Sequence, residues 1–190
     1  MKVSREQVAL NRQRIVETAA KLFREKGYDG IGVADLMKSA GLTHGGFYGH
    51  FESKEDLLAE ATAHALKKSV ERWEGYAAQG KDTALDKIGQ GYLTEQHRDH
   101  PGAGCSVTAL GADIARLGPK VRHVLTEGAS GQMAVLQKLM PGTDDAEKRK
   151  QALATYASMV GALVLSRAVD DDALSVEILQ AVQDSLQQKA

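Results

Sequence analysis

Apolar residues recur along this chain at helical spacing, and no useful stretch alternates with period two. Ile15, Ala19, Leu22 and Phe23 fall at i, i+4, i+7 and i+8, which predicts a first helix over roughly Ser4 to Lys26. Gly27 follows the last of its turns and stops it, as a glycine just past a helix end does. Val33, Leu36, Met37 and Ala40 make a short second helix, after which Gly41 and Leu42 turn the chain. Thr43 caps a third helix running to about Phe51, with Phe47 and Phe51 on its inner face. Ser53 followed by Asp56 resembles a capping box with Asp in the Glu position. It opens a long fourth helix, whose Leu57, Ala61, Leu66, Val70, Trp73 and Ala77 hold one apolar face.

The remainder reads as a helical bundle. Leu85, Ile88 and Tyr92 mark a fifth helix, residues 101–104 (PGAG) a loop, and Cys105 to Leu117 a short sixth. Gly118-Pro119 opens a seventh with Val121, Val124, Leu125, Val135, Leu136 and Leu139 inward, closed by Pro141-Gly142. An eighth, about Ala146 to Val169, is apolar on nearly every side and so needs more than one partner. After Asp170, Asp171 and Asp172, a last helix from about Ser175 to Lys189 carries Ile178, Leu179, Val182 and Leu186. The fold class is therefore all-α.

Composition excludes several classes. The chain has 190 residues, 43% hydrophobic and 26% charged, an ordinary globular balance rather than a disordered one. Its one cysteine, Cys105, allows no internal disulfide and fits a reducing compartment. No apolar run reaches the ~18 residues of a membrane span, and the charged beginning is no secretory signal. The expectation is a cytoplasmic protein without a membrane partner. Net charge is −1, but unevenly placed. Residues 1–51, with Lys2, Arg5, Arg12 and Arg14 at their start, hold eight Lys and Arg against five Asp and Glu, and the rest hold sixteen against twenty. A basic head on an acidic body suggests that the head meets an anion.

Two short helices joined by a glycine turn form a helix-turn-helix pattern. Met37 and Phe47 supply the apolar crossing, and Gly41 the sharp turn. Thr43 and His44 begin the second helix, where side chains reach base edges; Tyr48 and His50 can donate to phosphates. Lys54 stands in the first turn of the next helix, whose free N–H groups also favour an anion.

Residues 14–61, with their LF…GY…AGL spacing and the FYGHFESKEDL stretch after Gly46, resemble the DNA-binding domain of TetR-family transcriptional repressors. The resemblance implies a helix-turn-helix domain over 1–52 and a helical effector-binding and dimerisation domain over 53–190. It implies a homodimer joined through the last two helices, a palindromic double-stranded DNA operator and a small-molecule effector, with no cofactor or metal. The implied DNA contacts are Thr43, His44, Gly45, Gly46, Tyr48, His50 and Lys54. His44 stands where Lys or Arg is usual, Gly46 where Thr or Ala is usual, and Gly32 and Ala34 where side chains often touch DNA.

The effector pocket is expected between the fourth and seventh helices, drawing on Trp73, Tyr76, Tyr92, Cys105, Val121 and Leu125; these aromatics serve equally well as core. An acidic body argues for a neutral or cationic effector. Cys105, at a helix start, is either an oxidant or electrophile sensor or a small buried apolar residue, and the second is expected. His97 and His100 are spaced like a metal pair but lack a third ligand, so solvated surface histidines are expected. No base and orienting partner for Cys105 is recognisable, and no enzyme is expected.

Overall fold

The computed structural model describes residues 4–187; Lys2 and Lys189, used above, lie outside them. The described residues form nine α-helices and two 3-10 helices, and no strand. The head comprises α1 (Arg5–Lys26), α2 (Val33–Ser39) and a 3-10 helix (His44–Gly49). The body comprises α3 (Lys54–Ala77), α4 (Lys81–Tyr92), α5 (Glu95–Asp99), a 3-10 turn (Pro101–Ala103), α6 (Ser106–Ile114), α7 (Pro119–Leu139), α8 (Asp145–Ala168) and α9 (Asp172–Gln187).

Helix boundaries follow the local chemistry. Ser4 caps α1 by accepting from the Gln7 N–H, and Gly27, at φ 75°, ends it with its N–H on the Phe23 carbonyl. Ser53 caps α3 by accepting from Asp56 N–H at 3.0 Å. Two expectations fail at the recognition segment. The third helix is a 3-10 helix of six residues, and Thr43, although at its N-cap position, makes no side-chain capping bond. The sequence HGGFYG holds three glycines in six residues. Each costs about 1 kcal/mol against alanine in an α-helix, which leaves a short, tight turn as the better solution.

Two apolar clusters fill the molecule. The first gathers Ile15, Ala19, Phe23, Leu36, Met37, Phe47 and Phe51 from the head with Leu57, Leu58 and Ala61 of α3, Leu110 and Ile114 of α6 and Val121 of α7. The second gathers Trp73, Leu85, Ile88, Tyr92, Leu136, Tyr156, Met159, Leu163 and Leu179. The long helices α3 and α7 therefore run through both. They approach closely because α7 carries glycine where they meet: a Cβ on Gly128 would lie 2.4 Å from Leu66, and one on Gly131 3.1 Å from Val70. The loop between Phe51 and α3 separates head from body along the chain, but the first core crosses it.

His97 is not the solvated histidine expected from the sequence. Its Nδ1 meets the Tyr92 carbonyl at 2.7 Å, and its Nε2 accepts from the Cys105 N–H at 2.9 Å. The proton therefore sits on Nδ1, both nitrogens are occupied, and the ring lies edge-on to Tyr92. Gly104 makes room for it, since a Cβ there would fall 2.4 Å from Nε2. Burial, then the charges of Arg167, Arg72 and Arg24, outweigh the Tyr92 carbonyl and hold the imidazole down at about 4. His100 remains exposed.

Two outcomes follow. The unfolded chain protonates His97 near pH 6.5, before the folded chain does at about 4. Its contribution is complete above about pH 6.5 and is lost as pH falls toward 4. Thermal unfolding at stepped pH should show this fall, and His97→Gln, which keeps an acceptor for Cys105 N–H, should flatten it; an equal slope in both proteins contradicts the assignment. For the recognition segment, a Cβ at Gly45 meets nothing within 4 Å and one at Gly46 makes only ordinary contacts, at 3.7 Å from Met37 and 3.8 Å from Thr43. Replacing both by alanine should raise stability by about 1 kcal/mol, read as a rise in Tm of a few degrees; a lowered Tm would contradict the helix-propensity explanation.

Candidate nucleic-acid interface

The recognition segment hangs on two phenylalanines. Phe47 is fully buried, packs 5.7 Å from Phe51 and is wrapped by the first core. Burying such a ring contributes about 1.5–3 kcal/mol, enough to fix a short turn whose own propensity is poor. The adjacent Tyr48 then points outward, 71% exposed, with its ring edge-on to Phe47. Thr43, His44 and Gly45 are exposed, and Gly46 and His50 are half-buried. His50 has its Nδ1 buried without a hydrogen-bond partner, so an outside contact from this ring falls to Nε2.

Lys54, at the start of α3, lies with its Nζ 4.4 Å from the centre of the Tyr28 ring, which itself stacks on Phe23. Tyr28 thus holds the Lys54 ammonium at the head surface by cation–π attraction. Burial, then Glu55 and Asp29, push the Tyr28 phenol up and keep it neutral. On the other side of the head, Arg12 lies over Phe51 and forms a two-pronged pair with Glu60. Sequence reading missed Tyr28 and Arg12 as positioning groups. The one signal was an aromatic directly after the glycine that ends α1.

Polar ties bind this surface to the body. The Tyr28 N–H donates to Asp113 at 2.9 Å, and the Gly118 N–H donates to Glu55 at 3.1 Å. Lys120 pairs with Asp56 and holds that carboxyl below its usual range. Arg24 donates to the Gly102 carbonyl through Nε and a terminal nitrogen. The first turns of α3 and α7 are thereby clasped together.

The six residues expected to line an effector pocket do not meet around one cavity. Trp73, Tyr92 and Cys105 are buried together in the second core, with Tyr76 half-buried at its edge. Val121 and Leu125 belong to the first core, because α7 is long enough to reach both. Cys105 stands at the N-cap of α6 and is 6% exposed. Burial, then the neighbouring thiol, pushes the phenols of Tyr92 and Tyr156 up. Tyr156 donates to Gln132 at 2.8 Å, whereas the Tyr92 hydroxyl has no partner. Since His97 Nε2 is taken by a backbone N–H, it is no base for Cys105, and no nucleophilic pair exists here. Three surface clefts, of about 420, 370 and 140 Å³, are lined by other side chains.

No helix among the described residues is long and apolar enough to cross a membrane.

Comparison with known proteins identifies the head. Residues 15–61 match the family described as bacterial regulatory proteins, tetR family. The HTH-type transcriptional repressor NemR of Escherichia coli (strain K12) is 27% identical over 161 residues, covering 80% of this chain and 81% of its own. The HTH-type transcriptional repressor DhaR of Mycobacterium sp. (strain GP1) is 48% identical over 114 residues, 60% of this chain and 57% of its own. The solved structure of E. coli NemR in its reduced form superposes with a TM-score of 0.80 at 21% identity, covering 94% of this chain and 95% of that one. A TetR transcriptional regulator from Chloroflexus aurantiacus superposes with a TM-score of 0.77 at 25% identity, over 95% and 93% of the two chains. The match falls on the segment that presents Tyr48 and Lys54, and the body shares the helical fold of these structures: residues 15–61 are a tetR-family helix-turn-helix domain.

Proposed function

We propose that the protein is a repressor that binds a palindromic operator as a homodimer and is released by a small-molecule effector. The observation that carries the reading is the recognition segment, where an outward Tyr48 is pinned by a fully buried Phe47. Thr43 and His44 read bases, Gly45 and Gly46 let the backbone approach the duplex, and Tyr48, His50 and Lys54 hold phosphates. Repression is the role named for the relatives NemR and DhaR, at the identities given above.

The dimer reading rests on α8. Leu153, Ala157, Gly161, Val164, Leu165 and Ala168 follow one face of that helix at spacings of three and four. Leu153, Val164 and Leu165 are exposed in the single chain, as is Leu174 of α9. Such a stripe is what two copies related by a two-fold axis bury against each other. The dimer would set two recognition segments at the roughly 34–36 Å spacing of successive major grooves. An effector that favours another arrangement of the body shifts this spacing and releases DNA. The shared first core and the clasp between α3 and α7 are the parts through which such a change would travel. Cys105, buried in the second core, is in this reading a packing residue: Cys105→Ala should respond to effector as the wild type does.

Operator sites selected from a random DNA pool supply the probe. Lys54→Ala and Tyr48→Phe should weaken binding to all sequences alike, and Lys54→Ala should lower the salt slope by about 1. Substituting Thr43 or His44 should change the preferred bases instead. An unchanged affinity and slope for Lys54→Ala would overturn the assigned register. A Cβ at Gly161 meets nothing within 4 Å, which makes Gly161→Trp a probe of the proposed face. It should convert a dimer to monomers in light scattering and abolish operator binding; a wild type that is monomeric at micromolar concentration would contradict the dimer.

A further inference from the structure

The cleft of about 370 Å³ opens between α1, α3 and the 101–104 turn, outside the recognition segment and outside the second core. Its walls carry Arg24 from α1 and His64, Lys68, Ser69 and Arg72 from α3, with Glu17 at the edge. The nearby carboxylates are engaged elsewhere. Glu25 pairs with Lys21, Glu71 with Lys67, and Glu17 accepts from the Gln13 amide. Among the described residues, no carboxylate lies within ion-pairing distance of Arg24, Lys68 or Arg72. Arg24, half-buried, spends its bonds on the neutral Gly102 carbonyl, and burial pulls its pKa down. Burial, then Lys68, holds His64 down, against the opposing pull of Glu17. The cleft thus carries more positive than negative charge, with Arg24, Lys68 and Arg72 against Glu17.

A buried amide adds a directed donor. Gln132, fully buried, accepts from the Tyr156 hydroxyl and donates to Ser69 Oγ at 2.9 Å. Ser69 Oγ is therefore an acceptor on its inner side, and its own O–H is left to donate into the cleft. A site of this size holds a small metabolite.

We propose that this cleft binds a small dianion, a phosphate ester or a dicarboxylate, whose charge is met by Arg24, Lys68 and Arg72 and one of whose oxygens accepts from Ser69. The inference names an effector class and rests on the effector reading only for its regulatory consequence. It reverses the expectation of a neutral or cationic effector: net charge on the body is screened beyond about 8–10 Å, and the local side chains decide. Occupancy would tie α1 of the head to α3 and to the 101–104 turn, fixing the angle between recognition segment and body.

Calorimetric titration of the full chain at constant ionic strength tests this, with pyrophosphate, inorganic phosphate and succinate as probes. At least one probe should bind saturably with one site per chain, and the better of the two chemistries identifies the source of the dianion. The Lys68→Ala/Arg72→Ala variant, both positions exposed, should bind that probe about tenfold or more weakly with an unchanged Tm, and Ser69→Ala several-fold more weakly. Arg24 is left intact because it holds the Gly102 turn. Absence of saturable binding by any probe, or equal affinity in the double variant and Ser69→Ala, overturns the site. Operator affinity with and without saturating probe separates the two readings. Binding without any change in operator affinity leaves the site standing and contradicts its regulatory role. DNA release by another molecule that ignores Lys68, Arg72 and Ser69 keeps the effector reading and places the effector elsewhere.

Discussion

Phe23 and Phe47 of the head lie in one apolar cluster with Leu110 and Ile114 of α6 and Val121 of α7, and the position of the recognition segment depends on that shared core. Burying each of these side chains contributes about 1.5–3 kcal/mol, far more than the intrinsic preference of a six-residue turn holding three glycines. The recognition segment itself packs on α2, and the body reaches the head through α1, which meets α3 and α6. The recognition segment is therefore less an autonomous helix than a lid fastened by an aromatic pin. The polar clasp at the start of α3 and α7, where Gly118 meets Glu55 and Lys120 meets Asp56, keeps the two sides of that core in register.

This arrangement links the surface that faces DNA to residues far from it. The helix α3 begins at Lys54, beside the recognition segment, and reaches Trp73 in the second core. The helix α7 begins at the clasp and ends among Leu136 and Leu139. At about 1.5 Å per residue α3 spans roughly 36 Å and α7 roughly 32 Å, and close packing makes them poor at bending and good at shifting as rods. The 101–104 turn adds a second connection: Arg24 grips it from the head, while His97 joins the backbone around it at Tyr92 and Cys105. Ala103 and Gly104 of this turn line the Arg24 cleft, and Cys105 just after it belongs to the second core.

Much of this was legible in the chain. Amphipathic periodicity and the glycine and proline stops placed eight of the nine α-helices, since both signals are local; α5, five residues between a loop and PGAG, left no periodic trace. The outward Tyr48 and the apolar stripe of α8 were also readable, because a face is a local property. What was not readable depends on residues distant in sequence. The apolar spacing of HGGFYG suits an α-helix, while its glycines favour the tighter turn that forms. His97 became an internal bridge only because the 101–104 turn folds Cys105 back onto it. Val121 and Trp73 looked like lining of one pocket because both point inward, yet the long helices hold them in separate cores. Arg24, Lys68 and Arg72 line one cleft only because α1 and α3 pack together.

The central claim is that head and body form one cooperative unit through the first core. Hydrogen exchange of the full chain in rising denaturant measures this directly, by comparing amides of α1 from Ile15 to Phe23 with those of α7 around Val121. The account predicts that both sets merge into the same global opening, with the same free energy and the same dependence on denaturant. Exchange of the α1 amides through a smaller opening that leaves α7 protected would contradict it.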